Sequence, residues 1–384
     1  MSSATDIANR FETVHGRGAR VFRAPGRVNL IGEHTDYNGG FVMPAAIDRA
    51  TYVAVKARTE PKLVVDSENF NERQEFPLGD SAARARGNWS DYVRGVAVTL
   101  ERSGFRLRGA NLLVRGEVPI GSGLSSSAAL EVAVGQALLA ISGISLAAPD
   151  LARLCQRAEN EFVGVSCGIM DQFACCSAQA GHALLLDCRS LEYRMVPLPG
   201  NVRLMICDTK VRHRLNSGGY NQRRAECEAG VRLLQRRDSA IHSLRDATLE
   251  NLEHAALPEV IFRRCRHVIT ENARVTRAPA ALETGDLALF GRLMRDSHQS
   301  LRDDYEVSCE ELDLLVRIAE ALPGVYGSRM TGAGFGGCTV SLVKSEDATE
   351  FARLVREQYC SATGIEPVVW DCQAVDGASE VTSL

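Results

Sequence analysis

The segment Gly26-Arg27-Val28-Asn29-Leu30-Ile31-Gly32-Glu33-His34-Thr35-Asp36-Tyr37 gathers a guanidinium, two carboxylates and an imidazole among residues that turn easily. Carboxylates accept hydrogen bonds from hydroxyl groups, and a histidine ring donates or accepts them. Glu33, His34 and Asp36 fall within four positions, bounded by Gly32 and by Asn38-Gly39-Gly40. Convergent groups of this kind orient and select a polyhydroxylated small molecule. Two blander readings stand beside this one. The acids are structural members of a turn, or they hold a metal, for which the neighbouring sequence offers no fourth ligand.

The second chemical segment is Pro119-Ile120-Gly121-Ser122-Gly123-Leu124-Ser125-Ser126-Ser127. A strand, then Gly-x-Gly-x-Ser-Ser-Ser, then a helix is a cradle for phosphate. Glycine lets the backbone approach a ligand closely. The new helix offers free N–H groups and the positive end of its dipole. Serine hydroxyls add donors, and one of them suits a magnesium ion. Gly121, Ser122, Gly123, Leu124, Ser125, Ser126 and Ser127 are therefore the candidate nucleotide-binding residues. This is not a Walker loop, because Gly-Lys-Ser/Thr is absent and no lysine follows Gly123 nearby. Nor is it a dinucleotide fingerprint: Ser127 replaces the third glycine, which weakens an NAD-linked oxidoreductase reading. The bland alternative is a serine-capped helix after a glycine turn. Gly332-Ala333-Gly334-Phe335-Gly336-Gly337 is a weaker cue, equally a packing turn or a ligand contact.

A third segment, Gly168-Ile169-Met170-Asp171-Gln172, follows Glu159-Asn160-Glu161 and a loop containing Gly164. An acid just after a loop and beside apolar residues can take or orient a hydroxyl proton. It can equally be an ordinary acid at a helix N-terminus. Arg27 is a credible partner that would keep Asp171 ionised and favour a transferring phosphoryl group. Glu159 is either part of this chemistry or exposed on its helix.

These segments need a scaffold. Residues 20–24 and 41–58 read as strands flanking the first loop, and 107–118 as a strand running into the second. A helix opens at Asn88 and continues to about Glu101; another covers Ala128 to Leu139; Pro149-Asp150 starts one that runs through Glu161. Residues 183–186 and 202–207 read as strands, with Pro197, Pro199 and Gly200 marking a domain boundary between them. Further helices fall near 220–236, 259–281, 286–299 and 307–322, and the last glycine loop turns into a strand over 338–343. The expected architecture is α+β with two lobes, residues 1–198 and 199–384, and the chemistry between them. Trp89, Tyr92 and Phe162 read as packing aromatics, and His267 and His298 as packing or surface histidines.

Bulk properties narrow the function. A chain of 384 residues usually forms two domains and needs no disulfides to stabilise a small core. A net charge of −4 gives no reason to expect nucleic acid. The arginine-rich stretches Arg212-His213-Arg214, Arg223-Arg224 and Arg263-Arg264 read as solvated helix faces, local salt bridges or attraction for an anionic nucleotide. The twelve cysteines form no metal-site spacing and read as small buried hydrophobes. No targeting segment or membrane span is evident, so a cytoplasmic protein, a monomer or weak homo-oligomer, is expected.

Taken together, the motifs resemble the galactokinase family, within the group of kinases that also act on homoserine, mevalonate and phosphomevalonate. The resemblance rests on Gly26–Tyr37, on Pro119–Ala129 and on Met330-Thr331-Gly332-Ala333-Gly334-Phe335-Gly336-Gly337-Cys338. Cys167–Gln172, Asp304–Cys309 and Tyr220-Asn221-Gln222-Arg223-Arg224-Ala225-Glu226-Cys227 also look galactokinase-like. It implies the two-lobed kinase fold with mixed sheets. It implies transfer of the ATP γ-phosphoryl group to the anomeric hydroxyl of α-D-galactose. By the same resemblance Glu33, His34, Asp36, Gly168, Asp171 and Tyr220 would hold the sugar, and Arg27 and Asp171 would be the catalytic pair. Mg²⁺ would meet Glu159 and a serine of the Ser125–Ser127 run, with Ser127 the choice made here. A related sugar such as N-acetylgalactosamine, or a non-catalytic sensor of the same fold, are the alternatives.

Overall fold

The computed structural model describes residues 3–80, 82–212 and 218–381. Its first sheet is built on two long strands, β1 (Arg20–Asn29) and β3 (Pro44–Ala57), whose side chains are buried on both faces over much of their length. The very short β2 (Phe41–Val42) lies between them in sequence but joins another sheet. The first sheet is completed by β4 (Lys62–Ser67), β5 (Glu72–Pro77) and β6 (Ala110–Gly116). The small third sheet joins β2 to β7 (His182–Asp187) and β8 (Tyr193–Pro197). The second sheet is antiparallel and contains β9 (Val202–Arg212), β10 (Val325–Thr331), β11 (Gly336–Lys344) and β12 (Val368–Cys372). A final strand, β13 (Ser379–Val381), returns to the first sheet, giving the order β13-β1-β3-β6-β4-β5. That sheet is mixed, because β4 pairs with β6 in parallel while its other pairs are antiparallel.

Helices α1 (Ser3–His15), α2 (Ser90–Arg102), α3 (Ser126–Ile141), α4 (Ala148–Arg157) and α5 (Met170–Ser177) belong to the first half. The second half carries α6 (Gly218–Gln235), α7 (Leu249–His254), α8 (Glu259–Glu283), α9 (Leu287–Asp303), α10 (Glu310–Glu320) and α11 (Ala348–Thr363). Helix α3 is the central one. Its Ala, Val and Leu residues are buried around its circumference, and small side chains let it lie directly on β1 and β3. Its N-terminus is thereby fixed at the end of the second glycine loop. Among the described residues no helix is long and apolar enough to cross a membrane.

Several boundaries differ from the sequence reading. The first loop begins inside a strand: β1 runs through Pro25, Gly26 and Arg27, with a register shift between Pro25 and Arg27. The helix expected through Glu161 ends as α-helix at Arg157 and continues as a π-turn over Ala158–Val163. The hairpin β4–β5 was not anticipated, because charged residues interrupt its alternation. Arginines of the basic stretches form local ion pairs, Arg223 with Glu226, Arg224 with Glu228, and Arg264 with Glu226. His213 and Arg214 lie outside the described residues.

Candidate active site

Three elements meet at Asp171. Arg27 comes from β1 just past its register shift, Asp171 from the first turn of α5, and Ser125 from the residue before α3. Arg27 donates from Nε to Asp171 Oδ1 and from Nη2 to Oδ2, both at 2.8 Å, a bidentate pair. The remaining arm, Nη1, donates to the Gly123 carbonyl at 2.6 Å. Ser125 Oγ donates to Asp171 Oδ2 at 2.6 Å. Its backbone sits at φ 62°, a left-handed conformation that costs a non-glycine residue energy and is kept where a side chain must be aimed. Burial opposes the charge of Arg27, but Asp171 and Glu33 outweigh it and raise the Arg27 pKa.

Arg27, Asp171 and Ala333 line two cavities at once. The first, about 270 Å³, is walled by Glu33, His34, Asp36, Tyr37, Gly168 and Tyr220, among others. Gly168 is pressed against Asp36: a Cβ there would fall 1.9 Å from Asp36 Oδ2. His34, also left-handed at φ 63°, is fixed by a directed chain of hydrogen bonds. Its Nε2–H donates to the Ala333 carbonyl at 3.2 Å, which can only accept. Nδ1 therefore accepts from Tyr37 OH at 2.7 Å, and Tyr305 OH in turn donates to the Tyr37 oxygen at 2.8 Å. Burial, then nearby His267, lowers the His34 pKa to about 3, so the ring is neutral. Burial, then Asp171, raises Asp36 to about 7. Tyr220 packs its ring on His34 and Tyr37 at 5.8 and 5.1 Å. His267, read as a packing residue, donates from Nε2 to the Glu33 carbonyl at 3.1 Å and so supports the loop from α8.

The second cavity, about 420 Å³, runs along the second glycine loop. Gly121, Gly123, Ser125, Ser126 and Ser127 line it. Ser122 and Leu124 do not: the Ser122 hydroxyl donates to the Pro119 carbonyl at 2.7 Å, and Leu124 is buried. The C-terminal glycine loop clamps this loop from behind. A Cβ on Gly123 would lie 2.8 Å from the Thr331 carbonyl oxygen, and one on Gly332 would lie 2.7 Å from Gly123 Cα. Both glycines have φ above 80°, so only glycine allows this approach. The far end of the cavity is aromatic. Phe70, from the unanticipated hairpin, stacks on Trp89 with ring centroids 5.5 Å apart and planes 6° apart, and Tyr92 adds a further wall. Trp89 and Tyr92, read as packing residues, thus face a cleft, while Phe162 is indeed buried in a small apolar cluster.

A third group of polar side chains lies beside the junction. Glu159, placed by the π-turn, is buried and lines the first cavity. Gln172 Nε2 donates both to Glu159 Oε2 at 2.6 Å and to Glu131 Oε2 at 3.0 Å. Glu131 is wholly buried and its Oε1 has no partner. Burial, then the neighbouring carboxylates, pushes both glutamates upward in pKa; the Ser127 hydroxyl beside Glu159 works the other way. Neither acid has an arginine or lysine pair among the described residues. Among those residues no set of three His, Cys, Asp or Glu side chains forms a metal site.

The chain matches the galactokinase galactose-binding signature over residues 9–57. It also matches the GHMP kinase N-terminal domain over 91–179 and the GHMP kinase C-terminal region over 279–360. It is 48% identical to a galactokinase of Roseiflexus sp. (strain RS-1) and 50% identical to one of Chloroflexus aggregans, covering 99% of this chain and 98% of each relative. The fold superposes on Lactococcus lactis galactokinase complexed with galactose with a TM-score of 0.95, at 37% identity, over 99% of this chain and 100% of that one. Methanococcus jannaschii mevalonate kinase shares the fold at a TM-score of 0.67 and 18% identity, over 94% of this chain and 99% of that one. Full-length identity near one half, together with a matched galactose-binding signature, places this chain in the galactokinase family of the GHMP kinases.

Proposed function

We propose that the chain transfers the γ-phosphoryl group of ATP to the anomeric hydroxyl of α-D-galactose, giving α-D-galactose 1-phosphate and ADP. The carrying observation is that Arg27 and Asp171 form one wall of both cavities. An acceptor in the first cavity and a nucleotide in the second would meet across that pair.

In this reading Glu33, His34, Asp36 and Tyr220 hold the sugar, and Gly168 leaves room for the Asp36 carboxylate in the same wall. The backbone at Gly121 and Gly123 and the hydroxyls of the Ser125–Ser127 run cradle the phosphates, and the Phe70–Trp89 platform packs against the base. Asp171 accepts the C1 hydroxyl proton. Arg27 holds the Asp171 carboxylate in place through its bidentate pair and stabilises charge developing on the transferred group. Alignment and fixed electrostatics supply most of the rate gain.

The residues present suit a magnesium ion. Glu159 and Ser127 offer hard oxygen donors, and the partnerless Oε1 of Glu131 leaves that corner short of positive charge. Glu159 and Ser127 would hold the ion, and it would supply positive charge to offset that of the phosphates.

ADP release measured with galactose, glucose, N-acetylgalactosamine, arabinose and mevalonate tests the reading. Galactose is expected to give the highest kcat/KM. A higher value with any other acceptor, or no release with any, overturns it.

A further inference from the structure

Arg329, on β10, is wholly buried. Its guanidinium makes one hydrogen bond, from Nη1 to the Asn29 carbonyl at 3.1 Å. Among the described residues Nε and Nη2 have no hydrogen-bond partner. Burying a guanidinium with idle donors is unfavourable unless a nearby anion compensates. Two acids attract it, Glu33 and Glu271. Glu271 is already provided for: it accepts from the Gly32 amide at 2.8 Å and the Ser297 hydroxyl at 2.6 Å, and pairs with Arg274 at 2.6 Å. Glu33 has the weaker support. Its Oε1 accepts from the Gly332 amide at 2.7 Å and lies 3.8 Å from Arg329 Nη2.

Arg329 lines neither cavity, whereas Glu33 lines the first. The arginine is thus one side chain removed from any bound acceptor. We propose that Arg329 is a positioning residue for galactose: it fixes the direction and charge of the Glu33 carboxylate, through which alone it acts on the sugar. The proposal rests on the reading of Glu33 as a sugar contact. It also gives a reason for an arginine in the strand leading to the C-terminal glycine loop. The same carboxylate that faces the sugar holds the Gly332 amide, and Gly332 lies against Gly123 of the phosphate loop.

A double-mutant cycle tests it, with galactose affinity read by calorimetry in the absence of nucleotide. E33Q and R329M are each expected to weaken galactose binding about tenfold or more, while the pair together is no weaker than the worse single variant beyond about twofold. In turnover R329M should raise KM for galactose more than it lowers kcat, and R329K, which keeps the cation, should fall between parent and R329M. Should R329M fail to fold by thermal melting, the cycle is run with R329K. A loss from the Arg329 substitution that is the same factor with Glu33 and with Gln at position 33 overturns the proposal, as does an unchanged affinity in R329M. An unchanged affinity in E33Q is a separate failure: it removes Glu33 from the sugar site and with it the reading on which the proposal stands.

Discussion

Asp171 and Glu159 are both carboxylates beside the same cleft, and the protein treats them in opposite ways. Asp171 is gripped by Nε and Nη2 of a buried arginine and by a serine hydroxyl. Glu159 is left with an amide, a thiol and a second carboxylate behind it. The first acid has its counter-charge built into the chain. The second is arranged as if its counter-charge arrives with the substrate. The contrast separates a carboxylate whose direction is fixed by its donors from one that has no cationic side chain beside it among the described residues.

The largest expected effect lies on the Asp171 side. Asp171→Asn keeps one acceptor for Arg27, so the protein should fold, with a lower melting temperature because the buried guanidinium loses its counter-ion. Turnover should fall by roughly 10²–10⁴ with galactose binding retained, the usual span for positioned proton transfer. Turnover within tenfold of the parent, in protein free of host kinase, would erase the distinction between the two acids.

Glu159→Gln should act in the other direction on stability. Both glutamates of that corner have raised pKa values, so the folded chain holds protons that the unfolded chain releases. Stability is therefore lost as pH rises above the ordinary carboxylate range, and removing one charge restores it at pH 8 more than at pH 5. The Mg²⁺ concentration for half-maximal turnover should rise about 10- to 100-fold. A variant with unaltered Mg²⁺ dependence would show that the corner takes no part in holding the ion.

Asp36 offers the smallest effect and a check on the sign. Its pKa, raised to about 7, lies above the unfolded value, so its ionised form weakens the fold above neutrality and has no such cost below about pH 4. Asp36→Asn should stabilise the sugar-free protein by about 1–2 kcal/mol at pH 8, a figure reduced because the carboxylate faces an open cleft. It should do much less at pH 5, and it should weaken galactose binding at both. Equal shifts in melting temperature at the two pH values would place the strain elsewhere.

How much of this was legible in the chain depends on how local the signal was. Glycines and serines at 121–127 and the polar turn at 33–36 announce themselves because few other functions need those types at that spacing. Arg27 and Asp171 were identifiable as candidates, but 144 positions separate them, and only the fold brings β1 and α5 together there. Glu159 was named through the resemblance, while its residues alone left it open between this chemistry and an exposed helix position, since a π-turn that swings it inward leaves no mark in composition. Phe70 escaped notice because its hairpin is polar along one face, and Trp89 was read as a packing residue because an aromatic at helical spacing usually packs inward. Arg329 went unnamed, and His267 was read only as a packing or surface histidine, for a different reason. Their role is to hold another residue, and such a role is defined by the fold alone.

The pairing of β13 with β1 has a consequence for biosynthesis. Arg20 and Glu380, which meet across that pair, are 360 positions apart. Strand β1 carries Arg27, so the strand that bears a central arginine keeps a bare outer edge until β13, far along the chain, has been made. Throughout translation that edge is open to pairing with foreign chains. Closure by so distant a segment is slow compared with forming local hairpins, so the yield of native protein should depend on chaperone supply during synthesis more than on the stability of the finished fold.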